Sequence, residues 1–223
     1  MIMKPLGTIT MYNRFVDKEI ASVTERIMDH ATNYYDFVLR LSEKACQNET
    51  PTELAYIAAA NAWRLSATPA KNMLLQRFND NPWIRSWTSP HHKIGFERSF
   101  ADINQAISEA KENWIRIELL CLKAWWARYQ MADETYWEEP IGQAESLLRS
   151  HSDLECFGAL VNTVRSEASF IQRAYERAYE SHNQGMEYAK KFDDKYQIYQ
   201  LLWTRASWVK TWDTTKALEL QEA

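Results

Sequence analysis

The chain has 223 residues, of which 46% are hydrophobic and 25% charged, and its formal net charge is −4. A chain of this length buries roughly 70% of its unfolded surface, so it needs neither disulfides nor a metal ion to fold. The acidic balance disfavours a protein that covers nucleic-acid phosphates. The low content of five glycines and six prolines excludes collagen-like, low-complexity and turn-rich all-β chains.

The cysteines and the N-terminus indicate a cellular compartment. Cys46, Cys121 and Cys156 lie far apart and form no C-x-x-C pair, which disfavours a disulfide framework and a zinc knuckle. We therefore expect buried thiols in a reducing cytosol. The N-terminus lacks the continuous apolar segment of a secretory signal, and the most apolar run, 55–63, is too short to span a bilayer. The sequence predicts a cytoplasmic protein that does not bind membranes.

Apolar residues recur every three or four positions almost everywhere, a period that predicts helices. From Asp17 to Ala45 they form one continuous stripe, so we expect a single helix of about seven turns there. Thr50-Pro51-Thr52-Glu53 combines a capping box with an N-terminal proline, which predicts the start of a second helix. Thr68-Pro69 predicts the start of a third.

The longest stretch without a sustained period runs from Asn79 to Gly95. We expect it to be irregular and to separate two domains, helical hairpins over residues 1–95 and helical repeats over residues 96–223. The stripe resumes at Phe96 without an internal glycine or proline, and a weak repeat near Glu112-Asn113 favours two helices there instead of one.

The remaining segments complete an all-α prediction. Residues 132–139 are expected to form a loop, and Pro140 is expected to open the next helix. Ser152-Asp153-Leu154-Glu155 resembles another capping box. Two further helices are expected over roughly 173–192 and 196–212, with Asp193-Asp194 as the turn between them.

The segment from Ala178 to Lys195, with the helix that follows it, resembles the tetratricopeptide-repeat family. Ala178 and Gly185 stand where that family places small residues at helix contacts. A shift of 39 residues maps Ala178 onto Ala217 and Val164 onto Trp203. The resemblance covers about residues 115–223. It implies hairpins stacked as a right-handed α-α superhelix, although the unit is longer than the usual one of about 34 residues.

This sequence also departs from the family pattern. Ser169 and Gln130 stand where the family usually has an aromatic residue, and Arg205 stands where it prefers a small one.

The resemblance also implies a binding surface, because the first helix of each hairpin lines the concave face in that family. Here this groove is mostly apolar, with one cation, and it lacks the Lys and Asn pattern that clamps a peptide carboxylate. We expect it to bind an amphipathic or apolar protein segment, from a partner or from this chain's own N-terminal helices. The predicted groove residues are Arg128, Met131, Thr163, Glu167, Phe170, Tyr199, Leu202 and Val209.

The last apolar residues, Ala217, Leu218 and Leu220, have no polar capping repeat after them. Since solenoids normally require a polar cap, this end favours a homodimer, a larger assembly or a piece of a longer protein.

Two other hypotheses remain open at this stage. Arg177 and His182 have the R-x4-H spacing of the HEPN family of small helical ribonucleases, in which such residues act at the scissile phosphate. Chance also produces this spacing, because Arg85 lies at permitted distances from His91 and His92. The other hypothesis is a sensory domain that binds a small ligand or a signal peptide.

The sequence gives no other sign of an enzyme. The glycines are never closer than 16 residues, which excludes the glycine-rich phosphate loops. No metal-ligand spacing or nucleophile–base order stands out. We therefore predict no cofactor, no metal site and no nucleic-acid partner.

Overall fold

The computed structural model describes residues 11–47, 52–89, 95–127 and 135–211, with residue 135 and residues 209–211 described by their backbone alone. These ranges form eleven α-helices and one 3₁₀ helix, and they contain no β-strand, which confirms the all-α prediction for the described part of the chain. The helices are α1 Lys18–His30, α2 Tyr34–Gln47, α3 Thr52–Arg64, α4 Thr68–Arg77, α5 Pro82–Thr88, α6 Phe96–Glu109, α7 Asn113–Ala127, α8 Thr135–Ser150, α9 Gly158–Ile171, α10 Tyr175–Lys191 and α11 Lys195–Thr211.

The chain divides into two compact units, Met1–Leu119 and Leu120–Ala223. The predicted division lies earlier, at residue 95. The difference arises because α6 packs against α5 and thereby joins the first unit.

The single helix expected over residues 17–45 is wrong, because α1 ends at His30 and α2 begins at Tyr34. The apolar stripe continues across the break, but a reciprocal cap interrupts the backbone helix. The Asn33 side chain accepts a hydrogen bond from the Asp36 N–H at 2.9 Å, and the Asp36 carboxylate accepts one from the Thr32 N–H at 2.8 Å. This pair satisfies backbone donors that a helix start leaves open.

The irregular stretch expected from Asn79 to Gly95 contains the helix α5, which is a second correction. Asn81 caps it by accepting hydrogen bonds from the N–H groups of Trp83 and Ile84, and Pro82 occupies the first helical position. Both features are typical N-terminal signals. In contrast, the expected start at Thr68 and the expected break near residue 112 are both confirmed.

Two expected helix starts in the second unit are also wrong. Helix α8 begins at Thr135, which leaves Pro140 inside it, because Trp137 is buried on the same stripe as Ile141 and Ala144 and extends the helix towards the N-terminus. Residues Ser152–Phe157 form the 3₁₀ helix, and no side chain caps it. The Glu155 carboxylate instead contacts the Lys191 ammonium at 2.6 Å, so it is not used as a cap.

The first unit is built around α3, whose residues 54–62 are all buried. A helix that is apolar on every side belongs in a core. Its last residue, Arg64, forms a buried ion pair with Glu118 of α7, and the Tyr12 hydroxyl donates to the same carboxylate at 2.6 Å. The indole ring of Trp87 lies 5.5 Å from the Arg64 guanidinium carbon.

Candidate functional site

The same turn joins α9 to α10 and α10 to α11. Its middle residue is left-handed in each case, Arg173 with φ of 63° and Asp193 with φ of 51°. The N–H of the following residue donates to the carbonyl five positions earlier, at 2.9 Å and 2.8 Å. This is the hydrogen-bond pattern of a Schellman motif, which closes the end of a helix. Each turn therefore reverses the chain within three residues, and α9, α10 and α11 form consecutive antiparallel pairs.

Small residues allow these three helices to approach closely. A Cβ atom on Gly185 of α10 would lie 3.2 Å from Asn162 of α9 and 3.4 Å from Leu201 of α11. A Cβ atom on Gly158 would lie 2.8 Å from the ring of Tyr188. Glycine at these two positions therefore sets how near the helix backbones come to one another.

Two polar contacts join α9 directly to α11. The Thr163 hydroxyl lies 3.2 Å from Gln197 Oε1, and the Thr204 hydroxyl donates to Glu167 Oε1 at 3.0 Å. Thr163 and Glu167, two of the predicted groove residues, therefore lie at the contact between the helices.

Phe170, a third predicted groove residue, stacks on Trp208 of α11 with ring centroids 4.7 Å apart and planes 5° apart. Its ring also lies 5.5 Å from that of Tyr175. Phe170 is therefore a packing residue between α9 and α11 in this structure.

The opposite side of α11 carries three large, exposed hydrophobic side chains. Tyr199 is 55% exposed, Leu202 is 55% exposed and Trp203 is 60% exposed. Their spacing of three and four residues places them on one helix face. We call these three residues the α11 face. Tyr199 and Leu202 belong to the predicted groove, whereas Trp203 does not.

The corresponding residues of α9 are covered. The 39-residue shift pairs Tyr199, Leu202 and Trp203 with Leu160, Thr163 and Val164 of α9. Val164 and Thr163 are buried, and Leu160 is half-buried. The two helices therefore differ in burial at equivalent positions, since α9 is packed by its neighbours where the α11 face is open.

Helix α11 itself carries cationic side chains and no acidic one. The sequence of α11, KYQIYQLLWTRASWVKT, has no Asp or Glu. Lys195 lies one turn before Tyr199 and is half exposed, with its ammonium 3.7 Å from Asp193. Asp193 therefore compensates the Lys195 charge in part, and the α11 face is an apolar surface on a helix without a carboxylate of its own.

The remaining predicted groove residues are outside what the structure describes. Arg128 and Met131 lie in the segment 128–134, and the side chain of Val209 is not among the described ones. Trp203 was missed because the repeat register assigns its position to the helix contact. Its spacing from Tyr199 and Leu202 was the signal that could have identified it.

Arg177 and His182 do not form an exposed pair. The Arg177 guanidinium contacts the Glu138 carboxylate at 2.5 Å and lies over the ring of Trp137. His182 is buried, its Nε2 lies 3.0 Å from the Leu201 carbonyl oxygen, and burial lowers the pKa of its imidazole. An imidazole enclosed in this way cannot reach a phosphate in this conformation, so the geometry gives the ribonuclease hypothesis no support.

The described residues add two negative findings. None of their helices has the length and apolar character needed to cross a bilayer. They also hold no group of three or more His, Cys, Asp or Glu residues placed to bind a metal ion.

Comparison of the chain with protein-family models, with characterised proteins and with solved structures finds no match.

Proposed function

We propose that this chain is a cytoplasmic protein-docking module of stacked helices, tetratricopeptide-like in its C-terminal part, that binds an amphipathic helix of a partner protein on the α11 face. The observation that carries the proposal is the exposure of Tyr199, Leu202 and Trp203 on one side of a helix that packs with its other side. Aromatic residues of this kind are frequent hot spots in protein interfaces.

The shape of the expected partner follows from the equivalent positions on α9. There Thr163 and Val164 are covered by neighbouring helices. A helix laid along the α11 face would cover Leu202 and Trp203 in the same way. Since α11 has no acidic residue, the partner helix should carry Asp or Glu beside its apolar residues.

The repeat architecture has local support. The two turns that join α9, α10 and α11 share one left-handed geometry, and Gly185 lies where all three helices meet. The same turn also joins α3 to α4, with Ser66 at φ of 52°, so it is a general helix-hairpin turn that stacked hairpins can use repeatedly. The cytoplasmic assignment is favoured by the three free cysteines, of which Cys121 and Cys156 are buried.

The test is a selection of helical peptides with randomised surface positions against the full chain. Selected peptides should carry apolar residues at helical spacing with acidic neighbours. Calorimetry should show that Trp203→Ala weakens their binding by about 30-fold or more, which corresponds to roughly 2 kcal/mol for a hot-spot residue. Tyr199→Ala should weaken it by a smaller factor.

Tyr136→Ala is the matched control, since Tyr136 is an equally large ring that is 49% exposed on α8. It should leave the dissociation constant unchanged. Equal losses for Tyr199→Ala and Tyr136→Ala would contradict the proposal. Sedimentation of the free chain tests whether a second copy of this chain, instead of a partner helix, occupies the α11 face. A dimer that becomes monomeric with Trp203→Ala would mean that a second copy occupies this face, and the partner-helix proposal would then fail.

A further inference from the structure

A cleft of about 410 Å³ lies between α1 and α2, in the first unit and far in sequence from the α11 face. Its lining residues are Val23, Arg26, Ile27, His30, Arg40, Glu43, Lys44 and Gln47. Its volume is within the range of about 300–1,000 Å³ that small-molecule sites occupy. The helical period explains the lining, because Arg26 and His30 are one turn apart on α1, and Arg40 and Lys44 are one turn apart on α2.

The charge of this cleft is opposite to that of the chain. Three permanent cations, Arg26, Arg40 and Lys44, line it together with one carboxylate, Glu43, and Asp36 pairs with Arg40 from beside the cleft. The cations still outnumber the two carboxylates by one. The whole chain carries a formal net charge of −4. A local concentration of cations in an acidic protein attracts anions at short range only, because the overall field repels them.

Both arginines are anchored by the nitrogen nearest the chain. Arg26 Nε donates to the Ser22 carbonyl at 3.3 Å, and Arg40 Nε donates to Asp36 at 2.9 Å. In the described part of the structure, the terminal amino groups of these guanidinium groups have no hydrogen-bond partner. Anchoring through Nε holds each planar guanidinium group in place and leaves its two terminal amino groups, with four N–H donors, for a ligand. Carboxylate and phosphate groups accept hydrogen bonds from such a pair of amino groups.

Lys44 supplies a third cationic donor. Its ammonium forms no ion pair with any described residue, Glu43 included. Three donors from two helices thus face one cleft, and an anion with a single charged group would engage only part of them.

We propose that the cleft between α1 and α2 binds a small anion with two or more carboxylate or phosphate groups. Arg26 and Arg40 bind the oxygen atoms through their terminal amino groups, and Lys44 binds a further oxygen. Val23 and Ile27 form the apolar side of the cleft. This site is independent of the α11 face, so the failure of either proposal leaves the other standing.

The test uses citrate as the carboxylate probe and inorganic pyrophosphate as the phosphate probe, titrated into the full chain at low ionic strength. Calorimetry should give a dissociation constant below about 1 mM for at least one probe, and the stronger probe identifies the preferred group. Arg26→Gln and Lys44→Gln should each weaken binding by about 10-fold, since each removes a charge-assisted hydrogen bond. The Ile27 methyl resonance should shift on titration.

Arg98→Gln is the control of equal charge change, because Arg98 is exposed on α6 and does not line the cleft. When the titration is repeated at about 0.1 M ionic strength, where charges more than about 10 Å apart are screened, it should change the dissociation constant by less than about 2-fold. The proposal is overturned if neither probe gives a dissociation constant below about 1 mM. Equal losses for Arg98→Gln and the cleft variants also overturn it. Binding confined to anionic vesicles or to an acidic peptide overturns it too, because those outcomes assign the cleft to a macromolecular surface.

Discussion

Replacing Arg64 by methionine should destabilise the first unit strongly, because it removes the cation that pairs with the buried Glu118 carboxylate. The Arg64 side chain is 4% exposed and that of Glu118 is fully buried. One Glu118 oxygen, Oε2, already has no hydrogen-bond partner. Arg64→Met leaves Glu118 with the Tyr12 hydroxyl as its one remaining donor.

The expected cost is about 3–5 kcal/mol, the range for breaking a buried ion pair from one side. A urea m-value of about 2 kcal/mol per molar converts this cost into a decrease of roughly 1.5–2.5 M in the unfolding midpoint. Urea unfolding followed by circular dichroism and tryptophan fluorescence measures it. Arg40→Met is the control, because the Arg40–Asp36 pair lies on the surface of one helix, and it should cost under about 1 kcal/mol.

A triple variant separates the buried charge from the loss of packing. Arg64→Met combined with Glu118→Leu and Tyr12→Phe removes every member of the polar cluster, so no buried charge is left unpaired. We expect it to be more stable than Arg64→Met alone by about 2 kcal/mol or more. The reasoning is refuted if Arg64→Met costs no more than Arg40→Met, or if the triple variant is less stable than the single one.

Four further predictions concern backbone geometry and pH. Arg173→Gly should stabilise the protein by about 1 kcal/mol in urea unfolding, because glycine adopts the left-handed φ of 63° without the steric cost that arginine has there. Gly158→Ala should destabilise it despite the gain in helix propensity, because the added Cβ would meet the Tyr188 ring at 2.8 Å, and a lack of change in melting temperature would contradict this contact. Burial lowers the pKa of His182, so below about pH 6.5 the unfolded chain takes up a proton that the folded chain does not. The free energy of unfolding should therefore decrease as the pH is lowered below about 6.5, and this decrease should be shallower in His182→Phe. Burial raises the pKa of Tyr56 well above 10, so the unfolded chain loses its proton first and stability should fall as pH rises above about 10, less steeply in Tyr56→Phe.

The sequence predicts helices where local signals and periodicity agree. Thr68-Pro69 gives the correct start of α4, because a proline at the first turn fixes the backbone whatever packs around it. The break between α1 and α2 is different, since the apolar stripe runs through it. The polar cap of Asn33 and Asp36 determines the break, and that spacing was readable in the sequence.

Contacts between helices that are distant in sequence determine the features that the sequence pattern could not predict. Nothing in the local pattern pairs Arg64 with Glu118, which lies on another helix. The α11 face shows the same limit, because periodicity identifies apolar positions but not which of them a neighbouring helix covers. Thr163 and Leu202 are equivalent in the predicted register, yet the first is buried and the second is 55% exposed.

The most direct test of the docking proposal is a nuclear magnetic resonance titration of the full chain with a selected helical peptide. The chain has ten tryptophans, and each indole N–H gives a separate signal. We predict that the Trp203 indole signal shifts with the dissociation constant found by calorimetry, while that of the buried Trp137 does not move. A bound peptide that shifts other tryptophan signals and leaves Trp203 unchanged would contradict the account.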